Sequence, residues 1–150
     1  MVALNMLKLS KKADYGLIAL RHLATHYGKG SFSASDIAET YCISAPLLAK
    51  VLQKLARHGL VAARHGSSGG YTLAKNPSEI SALEAISAIE GPLFITSCTT
   101  SRGDCEQTAK CTVREPLRKV NDSILQVLST VTISQMAEEP RSSSVVELRV

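Results

Sequence analysis

A helix, a tight turn and a second helix, followed at once by a glycine-rich hairpin, is the pattern that most constrains this chain. Ala13, Leu17, Leu20, Ala24 and Tyr27 recur at helical spacing behind the N-cap candidate Ser10, predicting a first helix over 11–27 that Gly28-Lys29-Gly30 ends. A short helix over 35–41 leads through a turn at Cys42-Ile43 to Ser44, which is placed to cap a third helix ending at Gly59. Leu48, Val51, Leu52 and Leu55 form one stripe of that third helix, and Lys50, Gln53, Lys54 and Arg57 fall on the other side. Residues 60–64 and 71–74 read as two strands joined by His65-Gly66-Ser67-Ser68-Gly69-Gly70, a wing behind a helix-turn-helix.

Ser81 and Glu84 have the spacing of a capping box for a fourth helix that reaches Glu90 before Gly91-Pro92. Beyond a cysteine-bearing stretch, Leu117, Val120, Ile124, Val127, Leu128 and Val131 mark a long amphipathic helix over 114–131, and Thr132 and Gln135 can cap a last short one. A long amphipathic helix without a partner in its own small domain predicts packing against a second copy of the chain. The expected architecture is therefore mainly α: a winged helix-turn-helix DNA-binding domain over 6–80 with a small β-hairpin wing, a loop and long C-terminal dimerisation helix over 81–137, and a flexible tail over 138–150.

Charge supports this division. Residues 1–80 carry 10 Lys/Arg against 4 Asp/Glu, whereas residues 81–150 carry 7 against 9. A basic N-terminal half attracts a polyanion through phosphate contacts and counterion release. No apolar run approaches the roughly 20 residues of a membrane span, and the opening residues lack the basic and hydrophobic regions of a signal peptide, so a cytoplasmic protein is expected. Neither a nucleophile with its base, nor paired carboxylates, nor a phosphate-binding loop is evident, which argues against an enzyme.

A helix-turn-helix reads DNA by setting the N-terminal half of its second helix in the major groove, with flanking cations on phosphates. Ser44, Lys50, Gln53, Lys54 and Arg57 are the candidates there, and Arg64 and His65 open the wing, whose glycines let backbone approach a phosphate or the minor groove. Taken alone, the third helix could simply carry a solvated basic face; the wing behind it makes double-stranded DNA the leading partner.

Cys98, Cys105 and Cys111 cluster in a turn-rich stretch, while Cys42 in the turn is read as a small buried residue rather than a ligand. In a reducing compartment such a cluster points to metal or redox chemistry instead of disulfides. The intervals are longer than the pairs of structural zinc sites, favouring an iron–sulfur cluster over zinc, and a purely thiol-based switch remains open. Three thiolates need a further ligand, and no histidine lies from residue 81 onward.

Leu7-Lys8-Leu9-Ser10, Asp14-Tyr15-Gly16, Gly69-Gly70-Tyr71 and the run from Gly103-Asp104-Cys105 to Cys111 give the chain a marked likeness to one family. Over residues 6–138 it resembles the winged helix-turn-helix regulators of the Rrf-two type, which include iron–sulfur, nitric oxide and SUF-operon regulators, and it is most similar to the SUF type. The resemblance implies a homodimeric transcriptional regulator, mainly a repressor, of iron–sulfur cluster assembly genes, with Cys98, Cys105 and Cys111 holding a 2Fe–2S or 4Fe–4S cluster. Some relatives use a histidine three residues after the last cysteine, where this chain has Arg114. Others use an aspartate early in the first helix, supplied by the opposite subunit, and Asp14 stands at that place. The same aspartate also fits a nitric oxide-responsive repressor, and it equally suits a helix N-terminus. Ala45-Pro46-Leu47 and Arg64-His65 depart from better-known relatives, so the resemblance does not carry an operator sequence.

Overall fold

The computed structural model describes residues 9–67, 69–94 and 112–138. Cys98, Cys105 and Cys111 lie outside these residues, as does nearly all of the expected tail.

Helix α1 spans Lys11–Thr25, and the Ser10 side chain accepts a hydrogen bond from the Ala13 amide at its start. It stops two residues before the expected end. Tyr27 is consequently half exposed instead of sharing the apolar face, and Ala13, Gly16, Ala19, Leu20 and Leu23 supply that face. Helix α2, Ala34–Tyr41, begins with a reciprocal box: the Ser33 hydroxyl accepts from the Asp36 amide, and the Asp36 carboxylate accepts from the Ser33 amide.

The turn between α2 and the next helix is closed by Cys42 in the left-handed region (φ 54°), with the Ile43 amide returning to the Ala38 carbonyl at 2.9 Å. Cys42 is exposed, contrary to the expectation that it is buried: its backbone turns the chain and Ile43, not Cys42, packs on the core. Helix α3, Ala45–Arg57, buries Leu48, Val51, Leu52 and Leu55 as its apolar stripe requires. It ends in a Schellman motif. Gly59 takes φ 75°, its amide bonds to Ala56, and the Leu60 amide reaches the Leu55 carbonyl at 3.0 Å while both leucines are fully buried.

Strands β1 (Val61–Arg64) and β2 (Gly70–Leu73) pair antiparallel, with Val61 opposite Leu73 and Arg64 opposite Gly70. Phe32, ahead of α2, pairs with the outer side of β2 through two backbone hydrogen bonds to Tyr71. This third partner pins the wing to the helix-turn-helix. Gly70 permits it, because a Cβ there would lie 2.5 Å from the Phe32 backbone carbon.

A short 3₁₀ turn, Pro77–Glu79, leads to α4, Ala82–Glu90. The expected capping box at its start is half formed. Ser81 accepts from the Glu84 amide, but the Glu84 carboxylate binds the Lys75 ammonium at 2.6 Å instead of returning to the Ser81 backbone. Helix α1 packs against α3, α4 and α6, and at Gly16 the missing Cβ lets the Cδ1 methyl of Ile89 on α4 lie directly on the α1 backbone. Helix α5 covers Arg114–Thr130, and α6, Ile133–Ala137, opens with the expected Thr132–Gln135 box. Residues 131–133 pair back with 80–82, bringing buried Ile133 onto α1 and the core.

Leu20, Ile37, Leu48, Leu52, Leu55, Leu60, Ile80 and Ile133 form a fully buried centre, to which Val61, Leu73, Ala85 and Ile89 join β1, β2 and α4, whereas α5 contributes no residue to it. Asn121 alone is buried on α5, while Val120 and Val127 are 48% and 61% exposed. No described helix is long and apolar enough to cross a membrane.

Candidate nucleic-acid interface

The sequence of α3 places two kinds of chemistry on opposite sides of one cylinder. Its leucine–valine stripe fixes the helix against the core, and this leaves Lys50, Gln53 and Arg57 exposed along the outer surface. Ser44 sits at the N-cap but makes no side-chain cap hydrogen bond. Pro46 in the first turn removes one possible donor, and the Leu47 amide, one residue further on, does not bond to the hydroxyl either. The exposed Ser44 hydroxyl is thus left at the end of the helix that a helix-turn-helix presents to base edges.

Lys54 departs from its expected role. Its ammonium donates to the Ile89 carbonyl at the end of α4, 3.2 Å away, so the side chain turns off the outer face and ties α3 to α4. At the same corner the Ser10 hydroxyl donates to the Glu90 carboxylate, joining the start of α1 to the last residue of α4. Neither contact was legible from helical spacing, since each crosses between elements far apart in sequence.

Arg64 closes β1 and His65 begins the wing loop; both are exposed, and neither has a hydrogen-bond or ion-pair partner among the described residues. Together with Lys50, Gln53 and Arg57 they leave uncommitted donors on both parts of a winged helix-turn-helix, the recognition helix and the wing. That arrangement can neutralise phosphates and reach bases.

A profile describing iron-dependent transcriptional regulators matches residues 9–139. The chain belongs to the Rrf2 family. Relatives and solved structures agree: the regulator IscR of Pectobacterium atrosepticum is 31% identical over 87% of this chain and 79% of its own length. The structure of T. potens IscR superposes with a TM-score of 0.72 at 33% identity, covering 92% of this chain and 93% of that one. CymR, the global cysteine regulator of B. subtilis, superposes equally well, with 0.72 at 32% identity over 88% and 97% of the two chains. As an Rrf2 protein the chain is a transcriptional regulator with a winged-helix fold, and not an enzyme.

One cluster within this Rrf2 fold escaped the sequence reading. On α1, His22 is buried beside Tyr41, whose hydroxyl lies 3.0 Å from its Nδ1, and its ring stands edge-on to Phe32. Burial, and then the neighbouring His26, hold the His22 pKa below the ordinary value. His26 places its Nδ1 2.8 Å from the His22 carbonyl; since a carbonyl only accepts, that nitrogen carries the proton. A histidine pair at i and i+4 was the available signal, but nothing local announces Tyr41 and Phe32 as its neighbours. Asp14, by contrast, stands exposed in the first turn of α1, and no described group pairs with its carboxylate.

Proposed function

We propose that this Rrf2 regulator represses promoters of iron–sulfur assembly genes as a homodimer and that an iron–sulfur cluster, held by Cys98, Cys105 and Cys111, sets its affinity for DNA. The donor set fits such a group: three thiolates are soft ligands of iron, and the exposed Asp14 carboxylate, unpaired among the described residues, offers a hard fourth one. Asp14 of the partner subunit is the ligand the family resemblance favours. When bound, the cluster supplies a redox- and ligand-sensitive centre with one weakly held iron, the property a sensor requires.

The chain's own residues do the rest. Ser44, Lys50 and Gln53 face bases and nearby phosphates in the major groove, Arg57 adds a phosphate contact, and Arg64 and His65 bring the wing to the adjacent minor groove or backbone. The carrying observation is the unspent set of donors on α3 and the wing, held by a core that fixes the recognition helix.

Fragmented genomic DNA selected on the purified dimer supplies the test duplex, and fluorescence anisotropy then compares cluster-loaded with chelator-stripped protein. The expected difference is about fivefold or more, the lower range of allosteric coupling between two sites. Equal affinities would remove the cluster from control of DNA binding.

A second reading is favoured by the structural likeness to CymR, one structure of which, from Staphylococcus aureus, is of an oxidised form, and by the exposed Cys42 at the helix-turn-helix corner. In that reading thiol oxidation, without metal, shifts DNA binding; it predicts that stripped protein still responds to a mild disulfide oxidant.

A further inference from the structure

Beside the wing lies a recess of about 760 Å³, within the size range of small-molecule sites. The buried Leu23 and Leu73 supply its apolar part, and Tyr27, His26, Arg64 and His65 line it together with small residues of 28–31 and Thr72. Among the described residues no carboxylate lines it. The guanidinium of Arg64 has no partner among the described residues, and His26 Nδ1 is committed to the His22 carbonyl.

We propose that this recess binds a small organic anion, a carboxylate or phosphate ester with an apolar body, and that such a ligand draws Arg64 away from DNA. The Arg64 guanidinium selects an anion and offers it a charge-assisted fork. The apolar part distinguishes this ligand from a DNA phosphate, which needs only exposed donors and gains nothing from Leu23 and Leu73. Because Arg64 serves both the recess and the wing, ligand and DNA compete for one side chain. This inference extends the DNA-binding reading but does not depend on the cluster.

The test uses the full-length, metal-free chain, ¹⁵N-labelled, with phenylacetate as probe and benzylammonium as a control of similar body and opposite charge. Phenylacetate is expected to shift amides of residues 26–31 and 72–73 saturably, benzylammonium is not, and Arg64→Gln is expected to weaken the probe about tenfold, the worth of one charge-assisted contact. Tyr27→Ala, which alters only a half-exposed lining residue, is expected to weaken it also. Absence of saturable shifts, equal response to both probes, insensitivity to Arg64→Gln, or shifts confined to α5 would overturn the proposal. So would perturbation of these amides by duplex DNA but not by phenylacetate, which would assign the recess to the DNA interface.

Discussion

His22 shows how one buried residue ties stability to pH. Its surroundings, His26, Tyr41 and Phe32, contain no carboxylate to favour an imidazolium, and burial opposes it. The unfolded chain therefore binds this proton more readily than the folded one. Stability is complete above the ordinary histidine value of 6.5 and is lost as pH falls from there through the lower folded value. Urea midpoints measured between pH 7.5 and 5 are expected to decline, and the decline is expected to be shallower in His22→Gln. An identical slope in both proteins would contradict the assignment. Glycines tell a similar story of specificity at single positions: Gly70 lets Phe32 lie against the wing, a role that a turn-residue reading of Gly69-Gly70 does not contain.

At the scale of elements, helix starts divide into those held by a cap side chain, at α1, α2, α4 and α6, and those without a side-chain cap bond, at α3 and α5. Ser33 exchanges two hydrogen bonds with Asp36, whereas Ser44 makes no side-chain cap bond. Ser33→Ala is accordingly expected to cost about 1 kcal/mol of stability, and Ser44→Ala only a few tenths while lowering DNA affinity. Thermal melts and anisotropy titrations of the two variants check this; a Ser44→Ala loss as large as that of Ser33→Ala would show that the hydroxyl is structural. Elements were well marked in the sequence because their signals are local. Leu48, Val51, Leu52 and Leu55 specify α3 by spacing alone, and Thr132 with Gln135 specifies α6. Contacts between elements were not marked: Lys54 meets the end of α4, and Glu84 meets Lys75 in preference to its own cap, through geometry that only the assembled core sets. Cys42 was misjudged for the same reason, since its left-handed backbone, and not its side-chain chemistry, decides its exposure.

Across the whole molecule, the core joins the helix-turn-helix, wing, α4 and α6, but α5 presents Val120 and Val127 to solvent. Beside them Ile124 and Leu128 line a shallow, mainly apolar groove along the same helix. The proposed dimer, formed through this face, would bury the stripe and set two recognition helices apart for successive half-sites. Val127→Glu is expected to convert a dimer at micromolar concentration into a monomer in sedimentation velocity runs and to weaken DNA binding with it. A monomeric wild-type chain, or a dimer indifferent to Val127→Glu, would contradict this assembly.

Iron and acid-labile sulfide determined on anaerobically purified protein, together with its visible absorption, test the central claim most directly. The account predicts a coloured protein with matched iron and sulfide, loss of both in Cys98→Ser, Cys105→Ser or Cys111→Ser, and a cluster that is lost faster in Asp14→Ala. A colourless protein that remains free of iron and sulfide after reconstitution would contradict it, while leaving an Rrf2 DNA-binding regulator that works through zinc or thiols alone.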